Sequence, residues 1–276
     1  MTFIVRRPFA TETVPVAPVL PTAASFAACA PLHADDAKPD APKAPTAPDA
    51  PKPPVAPKPP APKESATEPK PRPGNWMQRH ENYLKEVKEK AGNVDLLFVG
   101  DSITDGWHGG GKKAWAENWE PLKAFNIGIG GDRTQHVIWR LQHGEVEGIK
   151  PKLAVLMIGT NNLGGNTNDE IVAGITACVK EIQKQLPSTR VLLLGVFPRG
   201  EKADNPARAR IKAINEQIAR LDDAGKTVKY LDIGEKFLDD KGNIQPEIMK
   251  DFLHPTAKGY DIWVNATKDT VTEMLK

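Results

Sequence analysis

The chain is 276 residues long, with a formal net charge of +2, 26 prolines and two cysteines. That charge balance gives no electrostatic footprint for nucleic acid, and Cys29 and Cys178, one in a biased N-terminal stretch and one in a helical pattern, do not make a disulfide framework. No apolar run approaches the roughly 20 residues of a membrane-spanning helix, so no transmembrane segment is expected.

Composition divides the chain into three parts. Residues 1–34 carry Arg6-Arg7 ahead of a Pro-broken apolar stretch, and Ala28-Cys29-Ala30 and Leu32-His33-Ala34 offer small-residue cleavage sites. This stretch reads as an export signal, which would place the protein in a periplasm, envelope or medium. A disordered tail on a cytoplasmic protein stays open, as does lipidation at Cys29. Residues 35–74 are Pro/Ala/Lys-rich, as in Lys52-Pro53-Pro54-Val55. Such a segment is expected to remain an extended, disordered linker, spanning on the order of 100 Å at about 3.1 Å per residue. Residues 75–276 have ordinary globular composition and suffice for one domain.

In that domain the first expected helix runs from Trp76 to Lys90. An apolar strand, Val94–Val99, follows and stops at Gly100-Asp101-Ser102. A Gly-rich loop, Gly106–Gly111, leads into a helix holding Trp115 and Trp119. Ala124–Ile127 is a short strand ending at Gly128-Ile129-Gly130-Gly131-Asp132, and Thr134–His143 is helical. Leu153–Ile158 is a strand ending at Gly159-Thr160-Asn161-Asn162. A long helix, Asp169–Leu186, then a strand, Val191–Val196, lead to Phe197-Pro198-Arg199-Gly200. Asn205–Ala224 is helical, Val228–Leu231 is the fifth strand, and Asp251-Phe252-Leu253-His254 precedes a last helix from Ala257 to Leu275.

Strands alternate with helices, and the strand runs are wholly apolar rather than alternating. This predicts an α/β fold: a three-layer α/β/α sandwich around a parallel sheet of about five strands. The strand-end turns then gather at one edge of the sheet, where ligands bind. There the chain holds the parts of a serine acyl-transfer site. Ser102 is the candidate nucleophile, His254 the base and Asp251 the acid that orients it. The N–H groups of Ser102 and Gly131 and the side-chain amide of Asn161 are the candidate oxyanion donors. Asp101, Trp107, Gly130 and Leu253 are candidate lining of the substrate pocket. Plainer roles compete: Asp101 as a brace for the Ser loop, Gly130 as a backbone bend, and Asp132, Arg133 and His136 as structural polar contacts. Two look-alikes fail. Gly106–Lys113 nearly spells a P-loop but ends in Lys113 where a Ser or Thr is needed, and Gly128–Arg133 lacks the last glycine of a dinucleotide fingerprint. No cofactor is expected, and no clustered ligand motif suggests a metal.

The order Ser, Asp, His is that of α/β-hydrolases, but Ser102 lies early and has no Gly-x-Ser-x-Gly elbow. The four blocks Gly100-Asp101-Ser102, Gly128–Asp132, Gly159–Asn162 and Asp251–His254 together resemble the SGNH, or GDSL-like, hydrolase superfamily. The stretch Asn126–Leu141 and the turn Phe197–Gly200 are similar to those of the catalytic subunits of platelet-activating-factor acetylhydrolase. The resemblance implies a flavodoxin-like sheet and a Ser102-Asp251-His254 esterase that hydrolyses short-chain, acetyl esters. Its substrate would be a small ester or an O-acetylated carbohydrate. A phospholipid or thioester acylhydrolase, or a non-catalytic carbohydrate-binding envelope protein, are the alternatives. The resembled subunits form dimers, which makes a homodimer one option here.

Overall fold

The computed structural model describes residues 63–276. The export cues, Cys29 and the linker up to residue 62 lie outside the described residues. Five apolar runs form the strands β1 (Leu96–Gly100), β2 (Ala124–Asn126), β3 (Leu153–Met157), β4 (Arg190–Leu194) and β5 (Val228–Leu231). They make one parallel sheet in the order β2-β1-β3-β4-β5, with Phe98 in register with Asn126 on one side and Val155 on the other. The helices are α1 (Asn75–Glu89), the short α2 (Ser102–Asp105), α3 (Lys112–Asn118), α4 (Thr134–Gln142), α5 (Asn168–Gln185), α6 (Pro206–Ile218) and α7 (Ala257–Met274).

The central strands β1 and β3 are apolar throughout because both their faces are covered, and the others carry only Asn126, Arg190, Lys229 and Tyr230 as polar members. Leu97, Val99, Ala154, Leu156, Val191 and Leu193 pack under α1, α4, α5 and α6. Leu96, Phe98, Val155, Met157, Leu192 and Leu194 pack under α3 and α7. The expected three-layer α/β/α sandwich with a five-stranded parallel sheet is what forms. After β1 the chain goes to one side for β2, then crosses back to the other for β3. The crevice outside the carboxyl ends of β1 and β3 is thus the switch point at which such sheets bind ligands.

Local chemistry sets the helix ends. Thr167 and Glu170 cap α5 reciprocally, each side chain taking the other's backbone N–H, at 3.3 and 2.7 Å. Asn205 caps α6, with Pro206 at its first position. The helix expected to reach Ala224 ends at Ile218, with one tighter turn to Leu221. The Asp223 carboxylate beyond it accepts from the N–H groups of Thr227 and Val228 and folds the chain into a turn instead.

The linker expected to run to residue 74 needs correction over its last dozen residues. Ala66 is buried, its carbonyl accepts from Thr134 Oγ1 at 2.6 Å, and the Lys70 N–H donates to the Gln135 carbonyl at 3.2 Å. A side chain at Gly174 on α5 would put its Cβ 2.8 Å from the Ala66 carbonyl, so that glycine makes room for the strap. Glu64–Glu68 contains no proline and offers a small apolar residue and free backbone groups, which the composition of the longer segment conceals.

Candidate active site

β1 ends at Gly100, against which a Cβ would meet Thr104 Oγ1 at 2.1 Å and the Met157 carbonyl at 2.4 Å. The chain turns at once: the Asp101 carboxylate accepts from the Ile103 N–H at 3.0 Å and caps α2, leaving Ser102 as the first residue of that turn. Tyr260 of α7 donates its hydroxyl to the Ile103 carbonyl at 2.7 Å and fixes the turn from below.

Ser102 Oγ lies 2.8 Å from His254 Nε2, and His254 Nδ1 lies 2.6 Å from Asp251 Oδ2. The other Asp251 oxygen accepts from the backbone N–H groups of His254 and Leu253 at 2.8 and 3.2 Å. Burial pushes the Asp251 carboxyl up, but the bonds from the His254 ring and from these N–H groups outweigh it, and the group lies below its ordinary value of 3.8. A charged carboxylate only accepts, so Nδ1 carries the ring proton and the Nε2 lone pair faces the Ser102 hydroxyl. The loop presenting His254 holds Phe252 at φ 57, a left-handed conformation that side chains other than Gly rarely adopt. Gly200 of the Pro198-Arg199-Gly200 turn donates to the Phe252 carbonyl at 2.8 Å and supports that conformation.

The β2 turn lies beside Ser102: a Cβ at Gly130 would sit 3.9 Å from Ser102 Cβ. Gly130 itself is fully engaged, its N–H with Asp105 at 3.2 Å and its carbonyl with Arg72 at 2.9 Å. Gly131 takes φ 77, which suits glycine. Among the described residues no acceptor takes the N–H of Ser102 or of Gly131. Asn161, past the end of β3, gives one amide hydrogen to the Asp132 carbonyl at 2.9 Å and keeps the second. The N–H groups of Ser102 and Gly131 and one Asn161 amide hydrogen are therefore unspent among the described residues.

Beneath this edge runs a buried ionic cluster. Arg140 of α4 is fully buried; it donates to Asp132 at 2.8 Å, to Glu145, to the Ile127 carbonyl at 2.8 Å and to the Gly100 carbonyl at 3.4 Å. Trp76 Nε1 adds a bond to Asp132 at 2.6 Å, and His80 Nδ1 one to Glu145 at 2.7 Å. Burial pushes Asp132 up, to about 6, against the pull of Arg140 and Trp76. Burial works against the charge on Arg140, but the Glu145 and Asp132 carboxylates more than offset it, so its pKa is raised. One guanidinium thus ties together the strand ends that precede Ser102 and Gly128.

Of the expected site residues, Ser102, His254 and Asp251 form one hydrogen-bonded chain, Gly130 abuts Ser102, and Asn161 bonds the carbonyl of Asp132, next to Gly131. Two expected pocket residues, Trp107 and Asp101, need correction. Trp107 is 1 % exposed and packs on Tyr260, Trp263 and Phe98, and Trp119 is equally buried; both are core. Gly109 and Gly110 are exposed, but Gly106 and Gly111 serve the core: a Cβ at either would run into Tyr260 at 2.0 or 2.8 Å. Asp101 is also fully buried, so it braces the Ser turn and meets no substrate. Burial pushes its carboxyl up to about 7, with nearby Asp132 adding to the shift and the Ile103 N–H opposing it. Leu253 is half-buried beside His254, packed on the α7 side of the core. Arg140, Glu145, Tyr260 and Arg72 were not singled out from sequence. For Arg140 a signal exists: an arginine inside the apolar spacing Val137, Ile138, Leu141 requires a buried anion.

Residues 98–262 match the GDSL-like Lipase/Acylhydrolase family. The chain is 41 % identical over 185 residues to platelet-activating factor acetylhydrolase IB subunit alpha2 of Gallus gallus, covering 67 % of this chain and 78 % of that one. It is 37 % identical over 187 residues to the alpha1 subunit of Homo sapiens, with 68 % and 78 % covered. Among solved structures, a GDSL-like lipase from Bacteroides thetaiotaomicron superposes with a TM-score of 0.57 at 21 % identity, over 70 % of this chain and 97 % of that one. A catalytic mutant of an acetylxylan esterase from Geobacillus stearothermophilus does so with a TM-score of 0.52 at 19 % identity, over 67 % and 94 %. These two likenesses concern the fold.

Proposed function

The chain belongs to the GDSL-like lipase/acylhydrolase family, and from that premise we propose that it is a serine esterase that removes short acyl groups, acetyl foremost, through an acyl-enzyme. The observation that carries this reading is the unbroken hydrogen-bonded chain Ser102–His254–Asp251. His254 Nε2 takes the proton from Ser102 Oγ as that oxygen attacks the ester carbonyl. Asp251 holds the Nδ1–H and stabilises the imidazolium that forms. The Ser102 and Gly131 N–H groups and the second Asn161 amide hydrogen meet the developing oxyanion. Collapse of the tetrahedral intermediate breaks the bond to the leaving alcohol, which receives the proton from His254. Water, activated by the same imidazole, then releases the acid and restores Ser102.

The preference for acetyl rests on the relatives, which are named acetylhydrolases and are 37–41 % identical. Their names add nothing in favour of export, which rests on residues 1–34 alone. Kinetics on 4-nitrophenyl esters of increasing chain length, with the wild type and Ser102→Ala, test the proposal. We expect kcat/KM to be highest for acetate and to fall about 10⁴-fold or more in the variant. A preference for long chains would remove the short-acyl assignment and favour a lipase-like reading. Undiminished turnover by the variant would remove the mechanism, and no turnover of any ester would favour a binding protein on this fold.

A further inference from the structure

Ile129-Gly130-Gly131-Asp132 is a β-turn, closed by the Asp132 N–H donating to the Ile129 carbonyl at 3.2 Å. Gly131, its third residue, has φ 77, while Gly130, its second, stays outside the positive-φ region. That is the type II pattern, whose central peptide carries the Gly130 carbonyl and the Gly131 N–H. Type I differs from it by a flip of this one peptide, and with glycine at both central positions no side chain selects between the two. The choice has a chemical consequence. In the flipped form the Gly131 N–H points to the other side of the turn and is lost to an oxyanion beside Ser102.

One flank of the turn is pinned without settling that choice. Gly130 donates its N–H to Asp105 Oδ2 at 3.2 Å, and Asp105 Oδ1 is held by Arg79 at 2.7 Å. This bond lies on the preceding peptide and leaves the central one free to turn. Arg72, on the strap of residues 63–73, acts on the central one. Its guanidinium donates to the Gly130 carbonyl at 2.9 Å, the one donor that carbonyl has among the described residues. Pro71 and Pro73 flank Arg72, and a following proline holds a residue extended, so the side chain is presented from a stiff segment. A Cβ at Gly131 would come within 3.1 Å of the guanidinium, so glycine there also admits Arg72. A cation bonded to the carbonyl end of a peptide polarises it and strengthens the N–H at its other end as a donor.

We propose that Arg72 is a positioning residue for the ester reaction: it locks the Gly130–Gly131 peptide in the orientation that offers the Gly131 N–H to the oxyanion. This rests on the oxyanion role given to Gly131 under the esterase reading, so structure and turnover are measured separately on the full-length protein. Glycine labelled with 13C at the carbonyl and with 15N gives, in a spectrum edited for directly bonded pairs, signals from Gly–Gly peptides alone: Gly109-Gly110, Gly110-Gly111, Gly130-Gly131 and Gly164-Gly165. We expect R72A to shift or split the Gly130-Gly131 signal and to leave the others in place. On 4-nitrophenyl acetate, R72A should lower kcat and kcat/KM together, by about 10–100-fold, the size of a weakened oxyanion donor. R72K keeps a charged donor and should retain most of the rate, and ethylguanidinium added to R72A should restore part of it. K70Q removes a different cation of the strap and should keep the wild-type kcat. A Gly130-Gly131 signal unmoved in R72A overturns the lock. Unchanged kcat in R72A, where turnover still requires Ser102, overturns the positioning role and leaves the esterase reading. So does a loss that K70Q matches and ethylguanidinium does not relieve, since Arg72 then only tethers the strap. A Gly130-Gly131 signal that depends on Arg72, in a protein that hydrolyses no ester, keeps the lock and removes the esterase reading.

Discussion

Asp101 and Asp251 are both carboxylates within three residues of a member of the Ser102–His254 pair, and their surroundings drive them in opposite directions. Asp251 is half-exposed and held charged by the His254 ring and two backbone N–H groups. Asp101 is sealed under the Ser turn, with one oxygen bonded to the Ile103 N–H and the other without a partner among the described residues. Its carboxyl is pushed from 3.8 up to about 7. Between those values the folded state keeps a proton that the unfolded chain has lost. Stability contributed by this group is therefore full below about pH 4 and declines until about pH 7. Asp101→Asn keeps an acceptor for Ile103 and cannot ionise. We expect the melting temperature of the wild type relative to Asp101→Asn to fall as pH rises from 4 to 7, then level off. A difference independent of pH would show that Asp101 is ionised throughout.

At the scale of elements, the site is an edge assembled from the ends of three strands and a loop, and α4 is what aligns two of them. Its Arg140 reaches the carbonyls of Gly100 and Ile127 and neutralises Asp132 and Glu145, all inside the core. A lone charge left in such a place is costly, whereas the complete cluster is nearly neutral in its effect. Arg140→Met strands two carboxylates at once. We expect it to lower the unfolding free energy in urea by about 3–5 kcal/mol and to lower kcat even where the variant remains folded, because the Ser and Gly turns lose their common tie. A variant of wild-type stability and activity would mean that packing alone sets the two turns. The strap works from outside on the same turns: Arg72 holds the Gly130 carbonyl, and Ala66 caps the contact of α4 with α5.

For the molecule as a whole, the sheet was legible because both its faces are covered. Continuous apolar runs such as Leu153–Met157 have no other explanation once helices alternate with them. The candidate site could be read for a related reason. Ser102, Gly131 and Asn161 each sit in a short Gly-containing turn directly after a strand, and His254 lies three residues from its own partner. What escaped depends on convergence that no local pattern carries. Arg72 sits in a stretch whose proline content suggests a tether, yet a few residues there find partners on α4 and the Gly131 turn. Trp107 sits among glycines that suggest an open loop, yet Gly106 and Gly111 make room for Tyr260 from the far end of the chain.

The central claim is that Ser102 becomes acylated and His254 makes it do so. Rapid mixing of the protein with 4-nitrophenyl acetate, acid quenching, and mass spectrometry of the digested chain measure this directly. The account predicts an acetyl group on the peptide containing Ser102, formed in a burst, absent in Ser102→Ala and greatly slowed in His254→Ala. Steady hydrolysis of the ester with no acetyl group on Ser102, or with the group on another residue, would contradict it.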